Sequence, residues 1–68
     1  MFNRNLFKAA VVKNGLTLKQ VAEKIGVAEP TLYRKMSGES DFSRQEIVEL
    51  KKILNLTESE AYSIFFTP

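Results

Sequence analysis

Apolar residues recur along the chain at the three- and four-residue spacing of amphipathic helices, in short runs punctuated by Gly15, Gly26, Pro30, Gly38, Asn55 and Pro68. The first run contains Leu6, Phe7, Ala10 and Val11. Asn3 or Asn5 can cap it, and Asn14-Gly15 after Lys13 are residue types tolerated at a left-handed helix end. The second run, Val21, Ala22 and Ile25, follows Thr17. Gln20 stands three residues after Thr17, a capping-box pair in which hydroxyl and amide each satisfy an otherwise orphaned backbone N–H. Gly26 closes this helix. A third opens near Glu29 and Pro30, because proline suits the first turn, where its missing N–H is not needed, and it runs to Ser37 with Gly38 as its stop. Ser43 with Glu46 and Thr57 with Glu60 form two further capping boxes. They open a fourth helix with an Ile47, Leu50, Ile53 and Leu54 stripe, and a fifth from about Glu58 to Phe65 or Phe66 that buries Ala61, Ile64 and Phe65. Alternating strand patterns with turn dipeptides are missing. The pattern predicts an all-α fold of five helices, a single domain over residues 1–68.

With 68 residues and no cysteine to staple them, the chain has room for one small core held by helix packing. Its 44% hydrophobic and 26% charged content lies in the globular range, well away from disordered composition, so it is expected to fold. The absence of both Cys and His removes thiolate chemistry, the usual zinc ligands and the commonest general base. Neither an enzyme nor a metal or other cofactor site is expected, and no small-molecule effector is evident. No run approaches the roughly 18 apolar residues of a membrane span, and Met1 to Ala10 lacks the apolar core of a signal peptide. A cytoplasmic protein without a membrane partner is the expectation.

Charge changes the picture once the chain is divided after Gly38. The first part carries Arg4, Lys8, Lys13, Lys19, Lys24, Arg34 and Lys35 against Glu23 and Glu29, seven cations against two carboxylates, or +5. The remainder carries Arg44, Lys51 and Lys52 against six carboxylates, or −3. A basic half suggests a polyanion partner. Two short helices joined through Gly26-Val27-Ala28 match the helix-turn-helix geometry in which the second helix enters the DNA major groove. On that helix Leu32 and Met36, four apart, face the core, so Glu29, Pro30, Tyr33 and Arg34 point outward. Arginine can pair bidentately with guanine, glutamate can accept from cytosine N4, and a proline ring or tyrosine edge can touch a thymine methyl.

The segment "LTLKQVAEKIGVAEPTLYRKMSG" resembles the lambda-repressor/Cro-type helix-turn-helix, the xenobiotic-response-element family of phage and bacterial regulators. The likeness runs through Leu16-Thr17, Val21-Ala22, Ile25-Gly26-Val27, Thr31-Leu32, Arg34 and Gly38. "YRKMSGESDFSRQEI" and the terminal "IFF" further resemble small regulators encoded by phages and prophages of Gram-positive bacteria. The resemblance implies a five-helix lambda-repressor-like domain, often a homodimer, that binds a roughly palindromic double-stranded operator through the third helix of each subunit. Carried over by position, base reading falls on Glu29, Pro30, Tyr33 and Arg34, and phosphate anchoring on Thr17, Lys19, Lys35, Ser37 and Arg44. There are two departures. Leu18 replaces a glutamine that often contacts the DNA backbone and braces the recognition helix. Val11 and Met36 replace a partly buried arginine–glutamate pair, and because both partners are apolar the same packing is expected without a stranded charge.

Several residues admit a structural role as well. Arg34 and Lys35 also fit a solvated helix face, and Tyr33 fits a ring packed on the rim of the core. Pro30 starts the helix whether or not it touches a base. Glu29 is repelled by phosphates, and its i, i+5 spacing to Arg34 suits an ion pair badly, which leaves specificity by exclusion. Phe65 and Phe66 cannot both face one side of a helix, so they fit either a dimer contact or a core filled by Phe65 with Phe66 capping its edge, and Phe42 can staple the fourth helix or join a subunit contact. Two functions are therefore carried forward. One is a Cro-like or repressor-type operator-binding regulator. The other is a protein-binding regulator, such as an antirepressor, modulator or antitoxin, that holds another phage regulator protein. Glu29, Leu18 and the acidic loop "GESD" favour the second.

Overall fold

Asn3 starts the first helix, its side chain accepting from the Leu6 N–H at 3.0 Å, and α1 (Arg4–Lys13) follows. The computed structural model describes residues 1–66, so Pro68, read above as punctuation, lies outside the described residues. Four more helices complete the fold: α2 (Leu18–Ile25), α3 (Glu29–Met36), α4 (Arg44–Ile53) and α5 (Glu58–Phe65). No strand occurs among the described residues. The three capping boxes form at Thr17–Gln20, Ser43–Glu46 and Thr57–Glu60 with both reciprocal bonds present in each. The third helix ends one residue earlier than the sequence pattern suggests. Ser37 is its cap, and the hydroxyl of Ser37 donates to the Arg34 carbonyl at 3.0 Å.

Every helix turns one stripe inward. Phe7 and Val11 of α1, Val21, Ala22 and Ile25 of α2, Leu32 and Met36 of α3, and Leu50 of α4 meet Leu54 and the Ala61, Ile64 and Phe65 face of α5. Leu6 is exposed: Phe7 and Val11, four apart, fix the inward line of α1, and Leu6 lies about 100° around the helix from it. Val11 and Met36 are both buried, so the positions that resemble an ion pair are filled by apolar packing, and no charged residue is buried among those described. Asn14 joins the far ends of two helices. Its Nδ2 donates to the Ala10 carbonyl at 2.8 Å and to the Leu54 carbonyl at 2.9 Å, while Asn55, with φ 52°, donates its side-chain amide to Asn14 Oδ1.

Beside this core stands a cluster of four phenylalanines. Phe2 packs 5.3 Å from Phe7, 5.0 Å from Phe42 and 5.7 Å from Phe65, centroid to centroid, and Phe42 meets Phe65 edge-on at 5.5 Å. These separations are the attractive range for aromatic pairs. The Phe2 segment is held in place because the Asn3 N–H donates to the Ile64 carbonyl at 2.6 Å. Of the three rings expected at a subunit contact, Phe65 is therefore in the core and Phe42 is half-buried against it. Phe66 stays on the surface.

The loop between α3 and α4 is closed by Lys35. Its ammonium donates to the Asp41 carbonyl at 2.9 Å, lies 3.1 Å from Glu46 Oε1, and sits 6.0 Å from the centre of the Phe42 ring. The same Glu46 oxygen accepts from the Ser43 N–H at 2.8 Å, so one carboxylate both caps α4 and holds the end of α3. Burial raises the Glu46 pKa, but the Ser43 backbone bond and the Lys35 ammonium outweigh it and hold the group below the ordinary carboxylate value.

Two predictions follow from this packing. Phe7→Ala removes a fully buried ring that serves both core and aromatic cluster, at a cost of about 3–5 kcal/mol, comparable with all the stability a core of this size supplies. Far-ultraviolet circular dichroism is expected to show Phe7→Ala unfolded and Phe7→Leu folded at 25 °C. Because the folded pKa of Glu46 is depressed, its contribution is present above the unfolded value of about 4.3 and is lost as pH falls through the folded one. Glu60, lowered by the Thr57 backbone bond, loses its contribution in the same direction, so the Lys35 share is isolated by a variant. The melting temperature of Lys35→Met is expected to fall less than that of the native chain between pH 6 and pH 3; equal falls would remove Lys35 from the clamp.

Candidate nucleic-acid interface

The turn between α2 and α3 is built on Gly26. Its φ of 76° is the left-handed conformation that glycine adopts without strain, and the next N–H, of Val27, donates back to the Ala22 carbonyl at 3.0 Å. Half-buried Val27 packs on the core, and Ala28 begins α3, its carbonyl accepting from the Leu32 N–H at 3.1 Å. Ala28 offers no side-chain cap. Initiation rests on Pro30 in the first turn and on Glu29, whose carboxylate complements the positive end of the helix dipole.

Leu32 and Met36 fix the rotation of α3, and its outer face follows. Pro30, Tyr33 and Arg34 are exposed, and Glu29 is half-exposed beside them. Tyr33 keeps 44% of its surface, which leaves its ring accessible on this face. Its hydroxyl donates to Glu29 Oε2 at 3.2 Å, across one helical turn. Desolvation and the adjacent Glu29 carboxylate raise the pKa of that hydroxyl, which keeps it protonated as a donor. The bond leaves Glu29 Oε1 as a further acceptor. Arg34 is held instead by Thr31, whose Oγ1 accepts from its Nη2 at 3.2 Å. No carboxylate neutralises it in these contacts, so the guanidinium retains its charge and its remaining donors for another acceptor.

The residues expected to anchor phosphates fall into two groups. Thr17 is exposed at the start of α2 with its hydroxyl accepting from the Gln20 N–H, and Lys19 is exposed one turn-fraction later. Arg44 is exposed as the first residue of α4, and Ser37 is exposed at the end of α3. Lys35 differs. Its ammonium is taken up by Glu46 and the Asp41 carbonyl, which makes it a brace on the end of α3 rather than a free cation. Leu18 is half-buried against the core, so the position resembling a backbone-contacting glutamine contributes apolar packing here. Sequence reasoning missed the brace and also missed Phe2, because both depend on the chain returning to itself across a loop. Tyr62 and Val48, exposed next to Phe66, were missed as well. The i, i+4 spacing of Tyr62 and Phe66, off the Ala61–Phe65 stripe, was the available signal.

Among the described residues no group of three or more His, Cys, Asp and Glu is arranged to hold a metal ion, and no helix is long and apolar enough to cross a membrane. A search of the curated proteins and of the solved structures finds no significant match. A family model described as helix-turn-helix matches residues 7–60, from the first buried ring of α1 to the capping glutamate of α5. With that match spanning most of the sequence, and with α2, the Gly26 turn and an outward-facing α3 in the arrangement just described, the chain belongs to the helix-turn-helix family of DNA-binding regulators and has its lambda-repressor-like all-α fold.

Proposed function

We propose that the whole chain is a single DNA-binding domain that occupies a specific operator as a Cro-like or repressor-type regulator of phage or prophage origin, acting as a homodimer and excluding polymerase. The observation that carries this reading is the outer face of α3, where Arg34 stands charged and exposed beside Pro30, Tyr33 and Glu29 on a helix held by core burial and by the Lys35 brace. In the complex α3 enters the major groove. Arg34 reads guanine O6 and N7, Glu29 Oε1 accepts from cytosine N4, and Pro30 and Tyr33 touch thymine methyl groups. Thr17, Lys19, Ser37 and Arg44 fix the register on phosphates without reading sequence. A two-fold dimer presents two such helices to half-sites about one helical turn apart.

The second reading, a regulator that holds another regulatory protein, draws on Glu29 and Leu18. A carboxylate sits on the exposed face, and the residue that resembles a phosphate contact is packed inward. The two readings separate on salt. Phosphate contacts release counterions and make affinity fall steeply with salt, which a protein interface need not do.

Selection of bound duplexes from a random library is expected to return a roughly two-fold symmetric motif whose affinity falls steeply with salt. No enrichment, with weak or salt-independent binding, would transfer the function to protein capture. On the selected duplex Arg34→Ala is expected to cost about 1–3 kcal/mol and to relax base preference at one position per half-site. Lys19→Ala is expected to weaken selected and scrambled duplexes alike and to reduce the salt slope by about one. Equal losses on both duplexes for Arg34→Ala would remove it from base reading.

A further inference from the structure

On the exposed face of α3 two side chains from successive turns meet at their tips. The Tyr33 hydroxyl donates to Glu29 Oε2 at 3.2 Å, with Tyr33 exposed and Glu29 half-buried. Side chains of an α-helix lean toward its N-terminus, so a bond from residue 33 back to residue 29 brings the phenol tip over the first turn of α3. That end of a recognition helix is the one that approaches base edges. A glutamate alone on a solvated turn samples several rotamers, and ordering one of them on binding costs affinity. Here the order is present before any duplex arrives. It comes from α3 itself, because Leu18 of α2 packs toward the core and carries no polar group.

The direction of the bond decides what the pair presents. A carboxylate has only acceptors, and the phenol proton is committed to Oε2, so the pair offers Oε1 as an acceptor with no free donor beside it. In the major groove cytosine shows its N4–H2 donor and no acceptor of its own, whereas adenine shows its N6–H2 donor next to the N7 acceptor. An acceptor without a donor therefore satisfies cytosine. Against adenine the same pair leaves N7 unpaired and facing a carboxylate, and against guanine or thymine it meets only acceptors and a methyl group.

We propose that the Tyr33 hydroxyl is a positioning group that locks Glu29 as a single-oxygen acceptor, so that the two side chains read one cytosine together. The inference rests on the operator-binding reading of α3 and adds to it the group that gives Glu29 its preference for cytosine over adenine. The ring and the hydroxyl of Tyr33 then have separate duties. The ring touches a thymine methyl, while the hydroxyl acts only through Glu29.

Equilibrium binding of the full chain to the selected duplex, to a scrambled duplex and to duplexes carrying each base in turn at every half-site position tests this. The native chain is expected to prefer cytosine over adenine at one position, and Glu29→Gln to shift that preference toward adenine, because glutamine offers both an acceptor to N6 and a donor to N7. Tyr33→Phe keeps the ring and is expected to lower the cytosine preference at that position about three- to tenfold. The other positions, the scrambled duplex and the salt slope are expected to stay as in the native chain. In the Glu29→Gln background, adding Tyr33→Phe is expected to change the preference there by less than about twofold. Neither side chain belongs to the core, so circular dichroism is expected to show native helix content throughout; Glu29→Ala provides a second background if Glu29→Gln is misfolded. An unchanged cytosine preference in Tyr33→Phe, a loss spread over all positions and the scrambled duplex, or an equal Tyr33→Phe loss with and without Glu29 would overturn the proposal and leave operator binding standing. A native chain that enriches no duplex, or Glu29 variants with unchanged preference, would overturn the reading by Glu29 and the proposal together.

Discussion

Burial of Leu32 and Met36 on one side of α3 is the constraint from which the functional surface follows. Four residues apart on an eight-residue helix, they leave α3 no freedom to rotate without exposing one of them, at a cost of about 1.5–3 kcal/mol for each large apolar side chain. The outward direction of Pro30, Tyr33 and Arg34 is therefore a packing result before it is a functional one. A reading helix has to hold its side chains in register with base edges, and a surface fixed by core burial meets that need without ordering anything on binding.

The two ends of α3 are fixed by different physics. At the start, the left-handed Gly26 turn sets the direction of the chain leaving α2 through backbone geometry. At the end, Lys35 reaches across the loop to a carboxylate oxygen that already caps α4, so the last turn of α3, the loop at Asp41 and the first turn of α4 share one electrostatic node. The Phe42 ring beneath that ammonium links the node to the aromatic cluster, and through Phe2 and Phe65 to both ends of the chain's described length. Val11 and Met36 pack without charge in the core, while the Lys35–Glu46 ion pair stands at its rim with side chains only 14% and 15% exposed.

The helices were legible in the sequence because their signals are local. Three serine or threonine caps with their glutamine or glutamate partners, and the glycine that closes α2, act within a few residues, and all formed as the pattern predicted. Features joining distant segments were not legible. Arg34 and Lys35 are neighbours of the same charge, and nothing in the sequence separates the cation left exposed from the one turned toward Glu46. Asn14 reads as a helix end, whereas its bond to the Leu54 carbonyl spans forty residues. Phe2 precedes the first helix and belongs to no periodic run, so its place at the centre of the cluster required the fold. The same contacts explain why Phe42 and Phe65, conspicuous as spare aromatic residues, are occupied internally while Tyr62 and Phe66 face outward.

The central claim is that the outer face of α3, together with the start of α2, is where this chain meets DNA. Amide chemical-shift mapping on addition of the selected duplex tests it most directly. Perturbations concentrated on residues 28–38 and around Thr17 and Lys19, and suppressed by raised salt, are the predicted result. A silent α3, with the changes confined to residues outside α2 and α3 or absent altogether, would contradict it.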